Sequence, residues 1–240
     1  MNEVSAWRPR LLNGHWFSQL PLSLQDSLLQ AARLQRLAAG ECLFQRGEPP
    51  SGLYAVVEGA MRIGAVSEQG KEALLALVEA PHWFGEIALF DGQPRTHDAY
   101  AEVACTLVWV PQPALTALLA EHPPYWRDFA LLMTQKLRLM FVVLEQQSLM
   151  AAAPRVASRL LMIAQGYGEI DGSRRVLQLG QEQLALMLSL SRQTTNQILK
   201  DLQQQGVLRL GYGEIEILDM AQLAACVAAE SSAKIAPRSP

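Results

Sequence analysis

Between residues 40 and 111, short β-like segments alternate with glycine-containing turns, and this texture narrows the possible folds sharply. The segments read ECLF, GLYAVVEG, AMRIGAV, KEALLALV and DAYAEVACTLVWV. A βαβ unit needs a long helical crossover between its strands, and the segments here are too short and too numerous for that arrangement. The spacing instead predicts about eight short strands in a compact antiparallel barrel or roll.

Helical patterns flank this region on both sides. From about Leu11 to Leu37, leucines recur at helical spacing among polar residues, and Pro21 stands near one helix start. The leucines that carry the pattern are Leu22, Leu24, Leu28, Leu29 and Leu34. A second segment, from about Tyr125 to Met150, contains neither glycine nor proline. Because nothing in it interrupts helical hydrogen bonding, the sequence predicts one long helix there.

The long helix carries an apolar seam. Apolar residues recur at alternating spacings of four and three, at Trp126, Ala130, Met133, Leu137, Met140 and Leu144. This heptad spacing places the side chains on one face, where an identical helix can pack by knobs-into-holes contacts. The sequence therefore predicts a homodimer, and burial of the face against the helix's own domain is the alternative.

Charge and cysteine content argue against several classes of protein. Residues 1–120 hold 8 basic and 12 acidic side chains, a net charge of −4, while residues 154–240 hold 9 and 8, a net charge of +1. Nucleic-acid binding must therefore come from a local patch of side chains. The three cysteines are widely separated and the four histidines lack ligand spacing, so neither a disulfide framework nor a metal site is expected.

Signals for export and catalysis are also missing from the sequence. No basic stretch followed by an apolar core marks a signal peptide, and no apolar run approaches the ~18 residues that a spanning helix needs. The chain has no Ser/His/Asp order and no Walker loop, so no catalytic residue is expected. We therefore expect a soluble, cytoplasmic protein that is not an enzyme and makes no contact with a membrane.

Residues 180–208 predict a pair of crossing helices. The first turns Leu184, Ala185 and Leu188 inward, and the small Ala185 allows the close crossing of a helix-turn-helix. The second begins at Ser191, whose hydroxyl can accept an orphan backbone N–H, and Gly206 ends it. Its expected buried side chains are Thr195, Ile198, Leu199 and Leu202.

The outer face of the second helix suits the major groove of DNA. Arginine can bridge O6 and N7 of guanine, and glutamine can bridge N6 and N7 of adenine. A solvated polar face is the alternative, but the cap, the close crossing and a following hairpin, read as a wing, favour DNA binding. With Ser191 at its start, the expected DNA-binding residues of this face are Arg192, Gln193, Asn196, Gln197 and Lys200.

A third motif, FGEIALFDGQPRTH at residues 84–97, is a candidate site for a ligand. Its apolar run is enclosed by glycines, and Glu86 stands nine positions before Arg95. Asp91-Gly92 and Pro94 mark a turn between the two charged residues. A Gly-Glu step and a Pro-Arg-Thr step are unusual so close together in a mostly apolar segment.

From about Leu11 to Leu218 the chain resembles the Crp/Fnr family of bacterial transcription regulators. The resemblance rests on FQRGEPPSGLYAVVEGAMRI, FGEIALFDGQPRT and LSRQTTNQILKDLQQQGVL, in this order. The middle stretch also resembles the phosphate-binding cassette of kinase regulatory subunits. The resemblance implies an α+β chain with a cyclic-nucleotide-binding-like antiparallel β-roll at residues 1–124, a dimerisation helix at 125–153 and a winged helix-turn-helix domain at 154–240.

The resemblance also implies roles for the residues of the third motif. In such cassettes a short helix begins after the Gly-Glu step, so that its free N–H groups face an anion. Carried over, Arg95 contacts the cyclic phosphate, Glu86 accepts from the ribose 2′-hydroxyl, and Gly85 and Thr96 offer further donors. Because family members without a nucleotide can keep part of this loop, a simple pairing of Glu86 with Arg95 is the alternative. The side chains expected to pack the cassette onto the roll are Ile87 and Leu89.

Two positions depart from the cAMP-responsive members. The usual small residue after the Arg-Thr step is here His97, which is bulky and titrates near neutrality. Where those members place a Thr-Ser pair that grips adenine, this chain has Met140 and Phe141, of which only the phenylalanine ring could stack on a base. The implied effector is therefore cAMP, cyclic di-GMP or another cyclic nucleotide, and no ligand at all is the alternative.

The DNA-reading positions depart as well. The best-known relatives use an Arg-Glu-Arg triad, and the matching positions here are Arg192, Gln193 and Gln197. Arg192 should still read a guanine, but the operator should differ from the familiar TGTGA half-site. Ser189 stands where a glycine often makes the turn between the helices, which is costly if its φ is positive.

Together these features predict a homodimeric, sequence-specific transcription regulator that a cyclic nucleotide switches. Double-stranded DNA is the expected partner, and the family resemblance adds RNA polymerase. One alternative is a regulator of the same family without a nucleotide ligand, either a redox or gas sensor, with haem ligation by a histidine left open, or a protein that acts without any effector. A more distant alternative is an enzyme that acts on cyclic nucleotides.

Overall fold

The computed structural model describes residues 3–70, 72–170 and 172–233, with the backbone alone for 229–233. The chain has an α+β fold and divides into two compact units. The first unit runs to Arg138 and takes in a short segment that starts at Gly168. The second unit begins at Leu139 and contains the rest of the chain.

The first unit opens with several short helices. A 3-10 helix at Glu3–Trp7 is followed by α1 (Arg8–Leu11), α2 (His15–Ser18) and α3 (Leu22–Ala31). The expectation of helix as far as Leu37 is wrong, because β1 (Arg33–Leu37) is a strand that pairs with β8 (Cys105–Pro111). Ala32 is extended and ends the helix, and Leu34 lies opposite Val108 in the ladder. A leucine run this short fits the repeat of a helix and that of a strand equally well. Hydrogen bonding to β8 therefore determines that the segment is a strand.

The eight strands of the first unit that the structure describes form an antiparallel roll, as expected. One four-stranded sheet has the order β1-β8-β3-β6, and the other has the order β2-β7-β4-β5. The segment DAYAEVACTLVWV contributes two strands, one to each sheet. The remaining strands are β2 (Cys42–Phe44), β3 (Gly52–Glu58), β4 (Ala60–Val66), β5 (Glu72–Glu79), β6 (His82–Phe84) and β7 (Asp98–Ala101).

The core of the first unit lies between the N-terminal helices and the sheet that contains β6. The Trp83 side chain on β6 is buried, and its ring centroid lies 5.5 Å from that of Phe17 and 5.3 Å from that of Trp16. Phe129 and Leu132 are also fully buried and bring a later helix into this core. The helices that follow β6 are α4 (Ile87–Asp91), α5 (Gln112–Glu121), a 3-10 turn at Pro123–Tyr125 and α6 (Trp126–Leu149).

Helix α6 is the single long helix that the sequence predicts. At its start, the ring of Trp126 lies 5.3 Å from that of Phe90, so the first seam residue contacts its own unit. From Leu137 onward the seam is uncovered in the single chain: Leu137 is 52 % exposed, Met140 49 % and Leu144 55 %. Burial against the helix's own domain therefore does not account for the later part of the seam.

The second unit consists of helices and a small sheet. The expected hairpin, β10 (Leu208–Leu210) with β11 (Ile215–Ile217), is present, and a third strand that was not expected, β9 (Val176–Leu177), pairs with β11. Its helices are α7 (Ala152–Ala164), α8 (Gln181–Leu188), α9 (Arg192–Gln204) and α10 (Met220–Ala233). Within the described ranges, no helix is long and apolar enough to cross a membrane, and no cluster of His, Cys, Asp and Glu could hold a metal ion.

Candidate functional site

The segment between β6 and β7 forms the expected short helix, and two glycines shape its entry. Gly85 has φ +98°, and a Cβ there would lie 2.9 Å from the carbonyl oxygen of Gly52 and 3.0 Å from an Arg95 nitrogen. Gly52 itself has φ +134°, where a Cβ would overlap the Val110 carbonyl oxygen. Only glycine fits both positions, because each needs a left-handed or related backbone and a close approach of neighbouring atoms.

Arg95 is buried beneath this segment, at 5 % exposure. Its Nη1 donates to the Gly85 carbonyl oxygen at 3.0 Å, and its Nη2 donates to the Gly52 carbonyl oxygen at 2.8 Å and to Ser51 Oγ at 3.0 Å. The guanidinium carbon lies 4.4 Å from the ring centroid of Phe44, in a cation–π arrangement. The arginine is therefore held by neutral oxygens and an aromatic ring.

The charge of Arg95 is left without a paired carboxylate. Among the described residues no acidic side chain forms an ion pair with Arg95, and its buried Nε has no hydrogen-bond partner. Burial lowers the pKa of the guanidinium, an effect that nearby Tyr54 and Glu86 oppose. A buried charge without a counter-charge is costly, so this position is suited to receiving an anion.

Glu86 pairs with Lys136, not with Arg95. Glu86 is 3 % exposed, and its Oε2 lies 2.7 Å from Lys136 Nζ. The same ammonium donates to the Trp83 carbonyl oxygen at 2.6 Å. The alternative in which Glu86 and Arg95 simply pair with each other is therefore wrong, because a lysine from α6 neutralises the carboxylate.

Sequence reasoning missed Lys136. A signal was present, since Phe129, Leu132 and Lys136 are separated by three and four residues and so share one helical face. The first two are fully buried. A lysine that continues a buried stripe needs an acceptor for its charge, but the local pattern does not identify that acceptor as the glutamate of the Gly-Glu step, fifty residues earlier.

The other residues expected to bind the ligand or to pack the cassette differ in how far they are buried. Leu89 is buried and packs the cassette, as expected, but Ile87 is 46 % exposed. The expectation of packing is wrong for Ile87 because the five-residue helix turns Ala88 and Leu89 inward and presents the residue before them to solvent. Thr96 is exposed, with its Oγ1 3.0 Å from Nδ1 of His97. Met140 and Phe141 are exposed residues of α6 that belong to the second unit.

The second candidate site is the outer face of α9. Ser191 caps the helix as expected, with its Oγ accepting the Thr194 N–H at 3.0 Å. Thr195, Leu199 and Leu202 are buried, whereas Ile198 is half-buried. One surface depression is lined by all five polar residues expected to face DNA, Arg192, Gln193, Asn196, Gln197 and Lys200. They are exposed except for Asn196, which is half-buried.

The wing is tied to α9 by a side chain. Gln203 Oε1 accepts the Leu210 N–H at 3.1 Å, which fixes the first wing strand against the end of the helix. Arg209 and Glu216 form an ion pair across the hairpin. Tyr212 at the tip is fully exposed between two glycines. Helix α9 and the hairpin therefore form one connected surface element.

The turn between α8 and α9 stores backbone strain, which yields a testable prediction. Ser189 has φ +53°, a conformation that costs a non-glycine residue ~1–2 kcal/mol. Glycine would remove this cost but would raise the entropy of the unfolded chain, which offsets ~0.4–1 kcal/mol. We therefore expect Ser189→Gly to raise the free energy of unfolding by about 0.5–1 kcal/mol, measured by denaturant titration. Ser189→Ala, which keeps the strained backbone, is the control, and equal stability of the two variants would contradict the prediction.

Comparisons with known proteins match both parts of the chain. The family model of the cyclic nucleotide-binding domain matches residues 34–122, and that of the Crp-like helix-turn-helix domain matches residues 154–226. The chain is similar to the CRP-like cAMP-activated global transcriptional regulator of Mycobacterium tuberculosis, with 31% identity over 187 residues, 77% of this chain and 84% of that protein.

Two proteins of Thermus thermophilus are similar in the same way. The chain is 31% identical to its Cyclic AMP receptor protein over 185 residues, 77% of this chain and 83% of the relative. A solved structure of a CRP/FNR-family transcriptional regulator from the same organism superposes with a TM-score of 0.65 at 28% identity, and covers 82% of this chain and 98% of that one. The Mycobacterium relative is named a global transcriptional regulator, and the solved Thermus structure is that of a transcriptional regulator.

Proposed function

Because the chain belongs to the Crp/Fnr family of DNA-binding transcription regulators, we propose that it acts as a homodimer switched by a cyclic nucleotide. The roll, residues 1–124, binds the effector, the helix at 125–153 joins two chains, and residues 154–240 read the operator. The protein acts by binding and not by catalysis, and RNA polymerase is its further partner. One relative from Mycobacterium tuberculosis and one from Thermus thermophilus have names that mention cAMP, and both support this class of effector.

One observation carries the effector part of this proposal: the buried guanidinium of Arg95 lacks a carboxylate partner among the described residues. Its Nη atoms are occupied by carbonyl and hydroxyl oxygens, while Nε has no acceptor. A cyclic phosphate has two exocyclic oxygens and one negative charge. It can supply both the missing charge and the missing acceptor, and hydrogen bonds between ionised groups are the stronger kind.

The ribose end of the ligand would meet a carboxylate that is already engaged. Glu86 can accept from a ribose hydroxyl through its free lone pairs while its Oε2 keeps the ion pair with Lys136. For the base end, the family resemblance points to Met140 and Phe141, and neither side chain can donate to or accept from a base edge. We therefore propose a ligand that is recognised mainly by its cyclic phosphate and ribose, with cAMP and cyclic di-GMP as the principal candidates.

A regulator without any nucleotide is the second candidate, and the Glu86–Lys136 contact favours it. This ion pair satisfies the buried carboxylate with a partner from the chain itself. Such a protein would keep the cassette for stability, with Arg95 as a fixed structural element. The two candidates differ in whether any cyclic nucleotide stabilises the fold.

The exposed seam of α6 supports the homodimer. Leu137, Met140 and Leu144 follow one another at spacings of three and four and are about half exposed. Apolar side chains that recur on one face of a long helix match the seam that a second copy of the same helix would cover. Two copies would also carry two reading helices, as the two half-sites of a palindromic operator require.

A thermal-shift panel of the full chain with cAMP, cGMP, cyclic di-GMP and a blank tests the effector. A ligand at 100 times its Kd stabilises the folded state by about 2.7 kcal/mol, which corresponds to a rise in Tm of about 5–10 °C for a chain of this size. We expect one cyclic nucleotide to give such a rise and also to change affinity for a duplex selected by the protein from a random pool. A panel in which no nucleotide shifts the Tm, together with tight binding of the selected duplex, would favour the ligand-independent regulator.

A further inference from the structure

An acidic residue forms a hydrogen bond with the reading face of α9, the outer face that carries Arg192, Gln193, Asn196, Gln197 and Lys200. Asp201 is exposed and lies four positions after Gln197, one helical turn away. The Gln197 Nε2 donates a hydrogen bond to Asp201 Oδ1 at 2.8 Å. Gln197 lines the same surface depression as Arg192 and Lys200, so the contact orients a side chain of the reading face itself.

The chemistry of Asp201 fixes which end of the Gln197 amide faces it. An ionised carboxylate accepts hydrogen bonds and donates none. A side-chain amide has a donor end, the NH2 group, and an acceptor end, the carbonyl oxygen. The donor end must therefore turn toward Asp201, and this orientation leaves Gln197 Oε1 directed away from the carboxylate as an open acceptor.

We propose that Asp201 is a positioning residue that sets the base preference of Gln197. The inference rests on the proposed docking of α9 in the major groove. An open carbonyl oxygen there accepts from an exocyclic amino group, which adenine presents at N6 and cytosine at N4. Guanine O6 and thymine O4 are acceptors and would face Gln197 Oε1 unfavourably. The second Nε2 hydrogen remains available for adenine N7, so adenine is the favoured base.

The contact between Gln197 and Asp201 contributes little to the stability of the fold. Both side chains are exposed, and glutamine–aspartate pairs four residues apart on a helix surface stabilise it only weakly. A carboxylate facing DNA is also unfavourable for binding in general, because it repels phosphate. A base preference, unlike stability or general affinity, depends on the orientation of the amide.

The test is selection of duplexes from a random pool by the full chain and by Gln197→Ala, Asp201→Ala and Asp201→Asn. The operator position that loses its preference in Gln197→Ala is the one that Gln197 reads. We expect the unsubstituted protein to enrich adenine, or cytosine, at that position by about fivefold or more over guanine and thymine. Both Asp201 variants should reduce this preference to about twofold or less, with the remaining positions unchanged.

Asp201→Asn is the decisive variant because it keeps the shape of the side chain. An asparagine can donate as well as accept, so it permits both orientations of the Gln197 amide. In a Gln197→Ala background, the Asp201→Asn change should alter no base preference at that position. Glu182→Gln, at an exposed acidic residue of α8, is the matched control, since it also removes one negative charge and should raise affinity for all duplexes alike.

The possible outcomes separate this inference from the proposed function. Retention of the full preference by Asp201→Asn would overturn the inference and leave DNA reading by α9 intact. Enrichment of guanine or thymine at the Gln197 position would do the same. A pool in which the unsubstituted protein enriches no sequence would overturn both the inference and the proposed reading of an operator.

Discussion

Replacement of Arg95 by methionine is expected to abolish the rise in Tm that a cyclic nucleotide produces in the unsubstituted chain. Methionine is long enough to occupy the space beside Phe44 and Tyr54, but it carries no charge and no donor. A hydrogen bond to a charged group contributes ~1.5–3 kcal/mol, and the bond from Nε to the phosphate would be lost together with the attraction between the two charges. Affinity should therefore fall about 100-fold or more.

The fold of this variant should survive. The carbonyl oxygens of Gly85 and Gly52 lose their donors, which costs ~1–3 kcal/mol for each group left unsatisfied. Against this cost, the variant no longer buries an unpaired charge, and replacement of a buried charge by an apolar group of similar size is often neutral. The measurement is the difference in Tm with and without nucleotide, so a modest change in the ligand-free Tm does not affect it.

Two further variants make the test specific for the guanidinium. Arg46→Met carries the same substitution at an exposed arginine of the same roll and should keep the full ligand-induced shift. Arg95→Lys keeps the charge but not the planar fork, and it should recover part of the shift. Equal shifts in Arg95→Met and in the unsubstituted chain would show that the nucleotide binds elsewhere, and the cassette assignment would fail.

The second large effect is expected from charges in the exposed seam of α6. In Leu137→Glu/Leu144→Glu, two copies of the helix would place like charges against each other and lose apolar contact, so the dimer should dissociate. The measured mass should fall from twice 26.5 kDa to 26.5 kDa. A single chain can occupy only one half-site, so affinity for a two-half-site duplex should fall about 100-fold or more, through loss of simultaneous binding.

Val142→Glu is the matched control for the seam variants. Val142 is an exposed apolar residue of the same helix, but it lies on a face different from that of Leu137 and Leu144. The control should remain dimeric and keep its DNA affinity. Circular dichroism should show unchanged helix content in both proteins, because glutamate is a good helix former. A dimer that persists in the double variant, or DNA affinity unchanged in a monomer, would contradict the role assigned to α6.

The sequence was sufficient to predict the elements whose local chemistry and tertiary setting agree. Short sequence signals of a few residues indicate each of these elements: glycines at the ends of the strands, the absence of glycine and proline in α6, and the Ser191 cap before α9. The helix-turn-helix was predictable in detail for the same reason, including the inward Leu184 and Ala185 and the strained turn at Ser189. Each of these features depends on neighbours in the chain.

The features that escaped prediction depend on partners far away in the chain. Leu34 lies on a strand because this segment pairs with β8, some seventy residues later in the chain. Lys136 enters the site because a helix fifty residues after the cassette packs across it. The two-residue strand β9 exists only through its pairing with β11 and has no sequence signal of its own. In each case a contact with a distant part of the chain determines the structure, and the local sequence pattern does not indicate that contact.

The continuity of α6 ties together two contacts that are adjacent in its sequence. Lys136, which pairs with Glu86, is followed at once by Leu137, a seam residue that is 52 % exposed. Consecutive residues of an α-helix are fixed about 100° apart around the axis, and α6 contains no glycine or proline at which that angle could relax. Any rotation of the helix that draws the ammonium away from its carboxylate must carry the leucine through the same arc. In the proposed dimer, a change at the Glu86–Lys136 contact is therefore coupled to the angle at which a second helix packs on the seam.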